Sequence, residues 1–543
     1  MKLKVLTALD HAKTQFYHFQ AIIIAGMGLF TDAYDLFTIT PVLKLIGRIY
    51  YHSSKPGTTP PIIYTAVISV ALIGMILGQL IFGFLGDRLG RRRVYGLALL
   101  LMIFSSVGSG FSVCRTRGCV LTSLCFFRFL LGFGIGGDYP LSATIMSEFA
   151  NRRTRGSFIA AVFSMQGFGI LVGSAVTMAA AAAFERVDKK VKMRDPMDTP
   201  EGADMLWRVI LMMGAVPAVF TLYWRMAMPE TARYTALVEQ NVVRANQDIR
   251  RVLVDLDLPS IDEDSELRPP TRPLSEPYGF FSKQFLQIHG RNLVACAAAW
   301  FIVDIPYYGS TLFQSKIYEP WFKDPKLYNA YREAYNVAKF QAIIAAASTI
   351  PGYWFTVLTI DRIGRRPIQL MGFILMAVFL FSLAGPYDAY WHDHIKNGWF
   401  LVLYAFTFFF SNFGPNTTTF IVPAELFPAR FRCTCHGIAG AAGKVGAIIG
   451  SVGFLWASRN EKKDSLGRGW KPGIGMMHSL LILGGCCLLG AVITYFFIPE
   501  TKLTSLEENE GSGSREEDEL QRTGSVSTNH SSVLPLNHAS PAV

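Results

Sequence analysis

The sequence predicts an all-α membrane protein of twelve transmembrane helices, divided into two pseudo-symmetric halves of six. Composition is the first observation, because 51% of the 543 residues are hydrophobic and only 17% are charged. Soluble proteins usually carry about 25% charged residues. The second observation is that twelve apolar runs reach the roughly 20 residues that one membrane crossing needs. The third is a long internal repeat. Together these features favour a duplicated, polytopic membrane protein.

The apolar runs divide the chain into regions. They are centred roughly on residues 32, 74, 102, 132, 170, 217, 302, 348, 376, 412, 447 and 487, each about the length of one crossing. We expect an N-terminal six-helix half over 1–230, a cytoplasmic linker over 231–290 and a C-terminal six-helix half over 291–502. Residues 503–543 have the Glu-, Ser-, Gly- and Asn-rich composition of a disordered cytoplasmic tail. A kinase or a trafficking factor is a candidate partner of that tail.

The internal repeat places matching motifs in the two halves. Residues 86–93 (GDRLGRRR) recur as residues 361–367 (DRIGRRP), about 270 residues later. Residues 229–231 (PET) recur as residues 499–501 at a similar spacing. In membrane proteins such a repeat indicates a duplicated bundle, with a substrate site near the interface between the halves.

The net charge of the chain is +11, and its positive residues are concentrated in connections next to the predicted spans. Arginine clusters lie in the short connections after spans 2, 4, 8 and 10. This positive-inside pattern predicts that both termini are cytoplasmic. The charge therefore indicates orientation in a lipid bilayer, and we expect no nucleic-acid partner. The sequence leaves the oligomeric state open.

Motifs that would indicate an enzyme or an ATP-driven pump are incomplete or lie in the wrong structural context. Residues 132–137 fit the dinucleotide string G-x-G-x-x-G, but they lie inside an apolar helix, where packing through small residues explains them better. Gly443-Lys444 resembles the end of a P-loop that lacks its first Gly and its Ser/Thr. No Cys/His set has metal-ligand spacing, and the cysteines indicate no framework beyond room for a Cys114–Cys119 disulfide in an outer loop. We expect no enzyme activity, metal or cofactor.

Polar side chains interrupt the apolar runs at corresponding places in the two halves. The matching pairs are Asp32 and Asp304 in spans 1 and 7, Asp138 and Asn416 in spans 4 and 10, and Gln166 and Lys444 in spans 5 and 11. A charge at the bilayer centre costs at least several kcal/mol, so such residues are functional candidates by default. Their placement on three symmetry-related helix pairs predicts one central cavity.

Spans 7 and 11 indicate the chemistry of that cavity. Trp300, Asp304 and Tyr308 are spaced i, i+4, i+8 and therefore share one helix face. Lys444 lies among glycines that let a neighbouring helix approach closely. Once the polar residues of spans 4, 5 and 10 are added, hydrogen-bond donors outnumber acceptors, which suits a small oxyanion.

Simpler interpretations of these side chains stay open. The aromatic residues Tyr139, Trp300 and Tyr308 are, taken singly, typical packing residues. Gln166 and Asn416 could serve as polar glue between helices. The Asp304–Lys444 pair could be purely structural.

A second charged set lies near the predicted cytoplasmic ends of the spans. Its members are Asp87, Arg91, Glu148, Arg155, Asp361, Arg365 and Glu425. We expect these residues to form a charge network between helices that biases the inward- or outward-facing state, and not to bind substrate.

These residues resemble the major facilitator superfamily, and more narrowly the plant and fungal phosphate:proton symporters. The resemblance rests on residues 136–148 (GGDYPLS running on to Glu148), 300–308 (WFIVDIPYY) and 412–419 (NFGPNTTT), together with the two arginine loops. It implies the major facilitator fold and proton-coupled import of inorganic phosphate across the plasma membrane by alternating access.

The resemblance also implies the residues of the site. The phosphate ligands would be Tyr139, Gln166, Trp300, Asp304, Tyr308, Asn416 and Lys444. The proton-coupling residues would be Asp32, Asp35, Arg128, Asp138 and again Asp304. Asp304 belongs to both sets and would couple the two fluxes.

Two other functions are compatible with the sequence. A sugar-porter-like proton symporter would share the arginine loops and the PET triplets. A non-transporting nutrient sensor could use the same bundle for signalling through its tail. Competition by hexose would identify the first alternative, and binding without uptake would identify the second.

Overall fold

The computed structural model describes residues 15–51, 57–114, 116–188, 199–252, 278–311, 329–391, 398–458 and 473–506. Within these ranges the protein is helical and contains no β-strand. Eleven segments of the described chain are long and apolar enough to cross a membrane. The predicted all-α membrane bundle is confirmed, and the remaining predicted span is divided into two helices.

Six spans form the N-terminal half. They are span 1 (Phe16–Tyr50), span 2 (Pro61–Leu89), span 3 (Arg91–Gly110), span 4 (Arg117–Phe149), span 5 (Arg155–Val187) and span 6 (Gly202–Ala227). Span 1 is interrupted at Thr38, between the helices Phe16–Phe37 and Ile39–Tyr50. Asp32 and Asp35 lie within the last turns before this interruption, on buried positions.

The C-terminal half contains the other six spans. They are span 7 (Lys283–Thr311), span 8 (Ala330–Ile363), span 9 (Arg365–Ala384), span 10 (Gly398–Asn412 and Pro415–Leu426), span 11 (Arg432–Ala457) and span 12 (Met476–Phe497). Spans 7 and 8 include π-helical turns at Leu286–Gly290 and Ala345–Thr349, and a third such turn, Tyr387–Trp391, follows span 9.

Span 10 is divided because Pro415 begins a new helix directly after Gly414. Proline has no backbone N–H, so the helical bond from position 415 to the carbonyl of Ser411 is missing. The carbonyl of Asn412, the last residue of the first helix, accepts from the hydroxyls of Thr356 at 2.8 Å and Thr417 at 2.7 Å. These side chains satisfy the broken backbone, which leaves the polar residues around the break in the interior of the bundle.

The two halves pack against each other mainly through spans 2 and 11 and through spans 5 and 8. Glycines make the first of these contacts close, since a Cβ at Gly437 would overlap the backbone carbonyl of Gln79 in span 2. A Cβ at Gly443 would likewise overlap the indole of Trp300 in span 7. The predicted use of small residues in span 11 for close helix approach is confirmed.

The connections carry three further features. Two helices, Ala232–Leu237 and Val242–Val252, follow span 6, and residues 253–277 of the predicted linker lie outside the described residues. Cys114 and Cys119 form the disulfide for which the sequence left room. Of the predicted tail, residues 507–543, where we placed a kinase or trafficking partner, lie outside the described residues, whereas Leu506 is buried.

Candidate functional site

Lys444 is the centre of a buried cluster between the halves. Its Nζ donates to Asp304 Oδ2 at 2.9 Å and to the Tyr308 hydroxyl at 3.0 Å. Lys444 is only 2% exposed and Asp304 only 1%. Their positions follow from the sequence, because Asp304 and Tyr308 share the face of span 7 that packs against span 11. A buried cation is thus held by one carboxylate and one phenol.

Polar residues of spans 4, 5, 8 and 10 form the second part of this cluster. Gln166 Nε2 donates to the Tyr139 hydroxyl, while Gln166 Oε1 accepts from the Tyr353 hydroxyl at 3.2 Å. Asn416 Nδ2 donates to Tyr353 at 3.0 Å and to Asn412 Oδ1 at 2.8 Å. The amides therefore lie in an ordered hydrogen-bond network, not scattered among apolar neighbours.

Aromatic contacts join the two parts. Lys444 Nζ lies 5.2 Å from the ring centroid of Tyr139 and 4.5 Å from that of Tyr308. Trp300 packs edge-on against Phe420, with 6.3 Å between ring centroids, and Phe420 packs edge-on against Tyr139 at 6.1 Å. The structure thus brings together all seven residues named as phosphate ligands. We call Tyr139, Gln166, Trp300, Asp304, Tyr308, Asn416 and Lys444 the central cluster.

A second buried cluster lies within the N-terminal half. Asp138 forms an ion pair with Arg225 of span 6, whose guanidinium lies 3.7 Å from the ring centroid of Tyr95. Neither carboxylate oxygen of Asp32 has a hydrogen-bond partner among the described residues. The charges that act on Asp32 include those of Asp138, Arg225 and Lys444, so this carboxylate lies electrostatically between the two clusters.

The remaining predicted proton-coupling residues lie beside this pair. Asp35 Oδ2 accepts from the Ser106 hydroxyl at 2.6 Å. Arg128 donates to the backbone carbonyl of Asp35 at 3.0 Å and its charge acts on the Asp35 carboxylate. We call Asp32, Asp35, Arg128, Asp138 and Arg225 the N-half cluster.

The arginine-rich ends of the spans meet in a charge network, at what we call the arginine end (Arg91, Arg155, Arg365 and Arg432). In the N-terminal half, Arg91 contacts Glu148 at 3.2 Å and Asp87 at 3.2 Å. Arg432 of the other half also binds Glu148, at 2.8 Å, and Arg91 donates to the carbonyl of Ala429 at 2.5 Å. Glu148 is therefore shared between the two halves.

The matching carboxylate of the C-terminal half is that of Glu425. Arg365 binds Glu425 through two bonds, at 2.8 and 2.6 Å, and contacts Asp361 at 2.9 Å. The Thr501 hydroxyl also donates to Glu425, at 2.6 Å. Glu425 is thus bound by an arginine, as Glu148 is.

The aspartates of the repeated motif each cap a helix of the opposite half. Asp87 accepts from the backbone N–H groups of Cys433 at 3.2 Å and Thr434 at 2.7 Å, at the start of span 11. Asp361 accepts from the N–H groups of Gly156 at 3.1 Å and Ser157 at 2.8 Å, at the start of span 5. Both carboxylates face positive helix N-termini, which favours contact between the halves.

Further contacts close the bundle at both ends. Arg155 donates to the carbonyl of Thr504, just after span 12, at 3.0 Å. At the opposite end, Arg48 of span 1 binds Glu333 of span 8 at 2.6 Å. Asn329 donates to Glu185 of span 5 at 3.0 Å. The central cluster therefore lies between two layers of contacts that join the halves.

Several site residues were not predicted from the sequence. Arg225 is a charge inside an apolar span, so the cost argument used for Asp32 would have found it. Tyr353 gives no comparable signal, because a tyrosine in an apolar span is usually a packing residue. Arg432 lies in one of the arginine-rich connections that the positive-inside pattern explains, so the sequence indicates no further role for it.

The repeated PET triplets each supply a glutamate that binds the start of a helix. Glu230 accepts from the backbone N–H groups of Arg91 and Arg92, each at 3.2 Å. Glu500 does the same for Arg365 and Arg366, at 3.0 and 3.1 Å. Burial raises the pKa of the Glu230 carboxyl above its ordinary value. The repeat itself was the available signal, since both glutamates cap the helix that follows the arginine loop of their own half.

Within the described ranges, no group of three or more His, Cys, Asp or Glu side chains could hold a metal ion. The two clusters supply hydrogen-bond donors, the buried cations Arg128, Arg225 and Lys444, and several carboxylates. Such a site can bind a small anion and can take up or release protons.

Comparisons with known proteins are consistent with this chemistry. A family model described as sugar (and other) transporter matches residues 21–511. The chain is 63% identical, over 98% of both proteins, to a protein of Oryza sativa subsp. japonica named probable inorganic phosphate transporter 1-10. It is 57% identical to a protein of Arabidopsis thaliana named probable inorganic phosphate transporter 1-9, over 94% of this chain and 96% of the relative.

A solved structure gives the fold. The chain superposes with a TM-score of 0.68 on the proton:xylose symporter XylE bound to 6-bromo-6-deoxy-D-glucose, covering 91% of this chain and 98% of that one. The two are 19% identical, so this likeness concerns the fold alone. The predicted major facilitator fold is confirmed.

Proposed function

Because the chain belongs to the sugar (and other) transporter family of the major facilitator superfamily, and within it to the plant inorganic phosphate transporters, we propose that it imports inorganic phosphate together with protons across the plasma membrane. It is a transporter and not an enzyme. The two halves would alternate between outward- and inward-facing states around the central cluster.

The buried Lys444 cation carries this proposal. It lies at the interface of the halves with Tyr139 and Tyr308 beside it, and the amide of Gln166 is bonded to Tyr139. Phosphate is a small anion with oxygens that accept several hydrogen bonds, so a cation surrounded by donors is complementary to it. A neutral sugar would not offset the cost of burying that cation.

Import of an anion into a negative cell interior requires co-moving cations. Each elementary charge moved across 100 mV costs about 2.3 kcal/mol. Protons meet this requirement if carboxylates of the site bind them. Asp304 is suited to the role because it holds Lys444 directly, at 2.9 Å. Protonation of Asp304 would remove the charge that repels phosphate and release Lys444 to bind it.

The N-half cluster would supply further proton sites. Asp32 is a buried carboxylate without a hydrogen-bond partner among the described residues, so no hydrogen bond there stabilises its charged form. Asp138 is paired with Arg225, and a proton on Asp138 would weaken that pair. Asp35 and Arg128 lie beside them. Their hydrogen bond would transmit a change in the charge of these carboxylates to span 4, which carries Arg128.

The network at the arginine end would act as the cytoplasmic gate. Its members are Asp87, Arg91, Glu148, Arg155, Asp361, Arg365 and Glu425, with Arg432 added by the structure. Their contacts join the halves in the closed arrangement and must separate when the inward-facing state forms. Loss of protons to the cytoplasm would re-form the Asp304–Lys444 pair and expel phosphate.

Uptake of radiolabelled phosphate into proteoliposomes under an imposed pH gradient tests this proposal. The full chain should accumulate phosphate when the outside is acidic, and Asp304→Asn should reduce that accumulation by about tenfold or more, since a buried interaction of about 1.4 kcal/mol or more is lost. Asp388→Asn, after span 9, is the matched control and should retain uptake.

Three results would contradict the proposal. Undiminished proton-driven accumulation by Asp304→Asn would remove this residue from the coupling mechanism. Inhibition of uptake by hexose at concentrations similar to phosphate would favour a sugar porter. Phosphate binding without any uptake would favour a sensor.

A further inference from the structure

Tyr353 of span 8 joins the two halves at the central cluster. Its side chain is fully buried. Its ring packs edge-on against Phe163 of span 5, with 5.6 Å between the ring centroids. A Cβ at Gly167 would lie 3.3 Å from Tyr353 Cδ2, so the lack of a side chain there leaves room for the phenol. Span 5 is thus shaped to admit a side chain from the opposite half.

The hydroxyl of Tyr353 forms hydrogen bonds with both halves. It donates to Gln166 Oε1 at 3.2 Å and accepts from Asn416 Nδ2 at 3.0 Å. An amide oxygen can only accept, so the hydroxyl is the donor toward Gln166, whereas Asn416 is the donor toward the hydroxyl. The hydroxyl of Tyr307 is a further hydrogen-bonding neighbour of Tyr353 and Asn416.

These bonds belong to a series of hydrogen bonds, and the donor-to-acceptor direction of the series is fixed at one end. The backbone carbonyl of Phe408 accepts from Asn412 Nδ2 at 2.8 Å. Asn412 therefore turns its Oδ1 toward Asn416, whose Nδ2 donates to it at 2.8 Å. The second hydrogen of the same Nδ2 goes to Tyr353. Because a backbone carbonyl cannot donate, the links from Phe408 to the Tyr353 oxygen have a fixed direction, in which each amide nitrogen is the donor.

The other end of the chain is a donor at the central cluster. With its Oε1 bound to Tyr353, Gln166 must present Nε2 to the oxygen of Tyr139. The Tyr139 oxygen then accepts, so its own hydrogen points away from Gln166. In this structure the hydroxyl of Tyr308 is a hydrogen-bonding neighbour of Tyr139, on the side where Lys444 lies. An anion at that place would meet hydrogens, not lone pairs.

We propose that Tyr353 is a positioning residue for phosphate, which holds Gln166 so that Gln166 and Tyr139 both present hydrogens to the anion. The inference rests on the proposed function of the central cluster. Tyr353 does not itself touch the anion in this account. It transmits the orientation set at Phe408 in the C-terminal half to two ligands in the N-terminal half.

Kinetics of phosphate uptake by the full chain in proteoliposomes test the inference. Tyr353→Phe keeps the ring and removes the hydroxyl, so it should raise the KM for phosphate by about tenfold, the effect of one buried hydrogen bond left without its partner. The maximal rate should change by less than about twofold, because the missing bond orients ligands and does not move the halves. Asn412→Leu cuts the same chain elsewhere and should shift KM in the same direction. If Tyr353→Phe does not fold, the KM of Asn412→Leu is measured in its place.

Two controls separate positioning from general packing. Tyr404 is a buried tyrosine whose hydroxyl donates to the Ser310 carbonyl at 2.8 Å, and Tyr404→Phe should leave KM within about twofold. In a Gln166→Leu background, Tyr353→Phe should add little to the KM, because the residue acts through Gln166.

An unchanged KM for Tyr353→Phe would overturn the inference while leaving the proposed function intact. A full-sized additional shift in the Gln166→Leu background would overturn it as well, since Tyr353 would then act independently of Gln166. If the unaltered chain takes up no phosphate, the proposed function itself is wrong and the inference falls with it.

Discussion

The two halves of the bundle bury their charges in different ways. In the N-terminal half, Asp138 is neutralised by Arg225, and Asp32 remains as an extra carboxylate without a hydrogen-bond partner among the described residues. In the C-terminal half, Lys444 and Asp304 form a balanced pair, with Tyr308 as the third member. The first arrangement has a place for an added proton. In the second, protonation of Asp304 together with binding of a singly charged anion beside Lys444 leaves the net charge unchanged.

At the arginine end the two halves contribute matching contacts. Glu148 of the N-terminal half is bound by Arg91 and, across the interface, by Arg432. Glu425 is bound by Arg365 and Thr501. Asp87 and Asp361 each cap a helix of the opposite half. Opening of this end should therefore require the contact between Glu148 and Arg432 to separate.

The largest expected effect comes from removing the central cation. Lys444→Gln should weaken phosphate binding by more than about 100-fold, because breaking a buried ion pair costs about 3–5 kcal/mol and the anion loses its charge partner. Equilibrium binding of radiolabelled phosphate to purified protein measures this. Lys44→Gln, at a partly exposed lysine of the opposite end, is the control and should change binding by less than about threefold. If Lys444→Gln still bound phosphate with the original affinity, Lys444 would not be the cation that holds the anion.

An intermediate effect is expected in the N-half cluster. Asp138→Asn should lower the stimulation of uptake by an inward proton gradient about tenfold, since the Arg225 pair is broken while Asp32 offsets part of the cost. Phosphate affinity at constant pH should stay within about threefold, because the central cluster is intact. Asp204→Asn, at a partly exposed Asp–Arg pair of span 6, is the matched control. If Asp138→Asn abolished phosphate binding instead, the assignment of the N-half cluster to protons and of the central cluster to the anion would be wrong.

The smallest effect concerns the shared glutamate. Arg432→Gln should raise the labelling rate of the buried Cys433 by a thiol reagent about threefold, because one contact that joins the halves is lost while Arg91 still holds Glu148. Peptide mass spectrometry would distinguish Cys433 from the other free cysteines. Arg366→Gln, at an exposed arginine of the same end, should leave the rate unchanged. Equal labelling of both variants would show that the shared glutamate does not bias opening.

Much of this arrangement could be predicted because the membrane makes polar residues conspicuous. Asp304 and Lys444 stand out in apolar runs, and the repeat placed them on spans that face each other. Asp32 and Asp138 were found in the same way. Arg225 was missed although the same argument applies to it. Tyr353 could not be found, since its role depends on partners in three other spans that no local pattern specifies.

The sequence by itself determined the number and class of the helices, the duplicated scaffold and the buried charges, because each of these follows from local composition and spacing. Only the tertiary structure decided which charges pair. It joined Asp138 to Arg225, assigned Glu148 to both halves and fixed the direction of the hydrogen bonds that run from Phe408 to Tyr139. Pairing and hydrogen-bond direction are properties of side chains that are distant in sequence, so they are settled only when the two halves pack together.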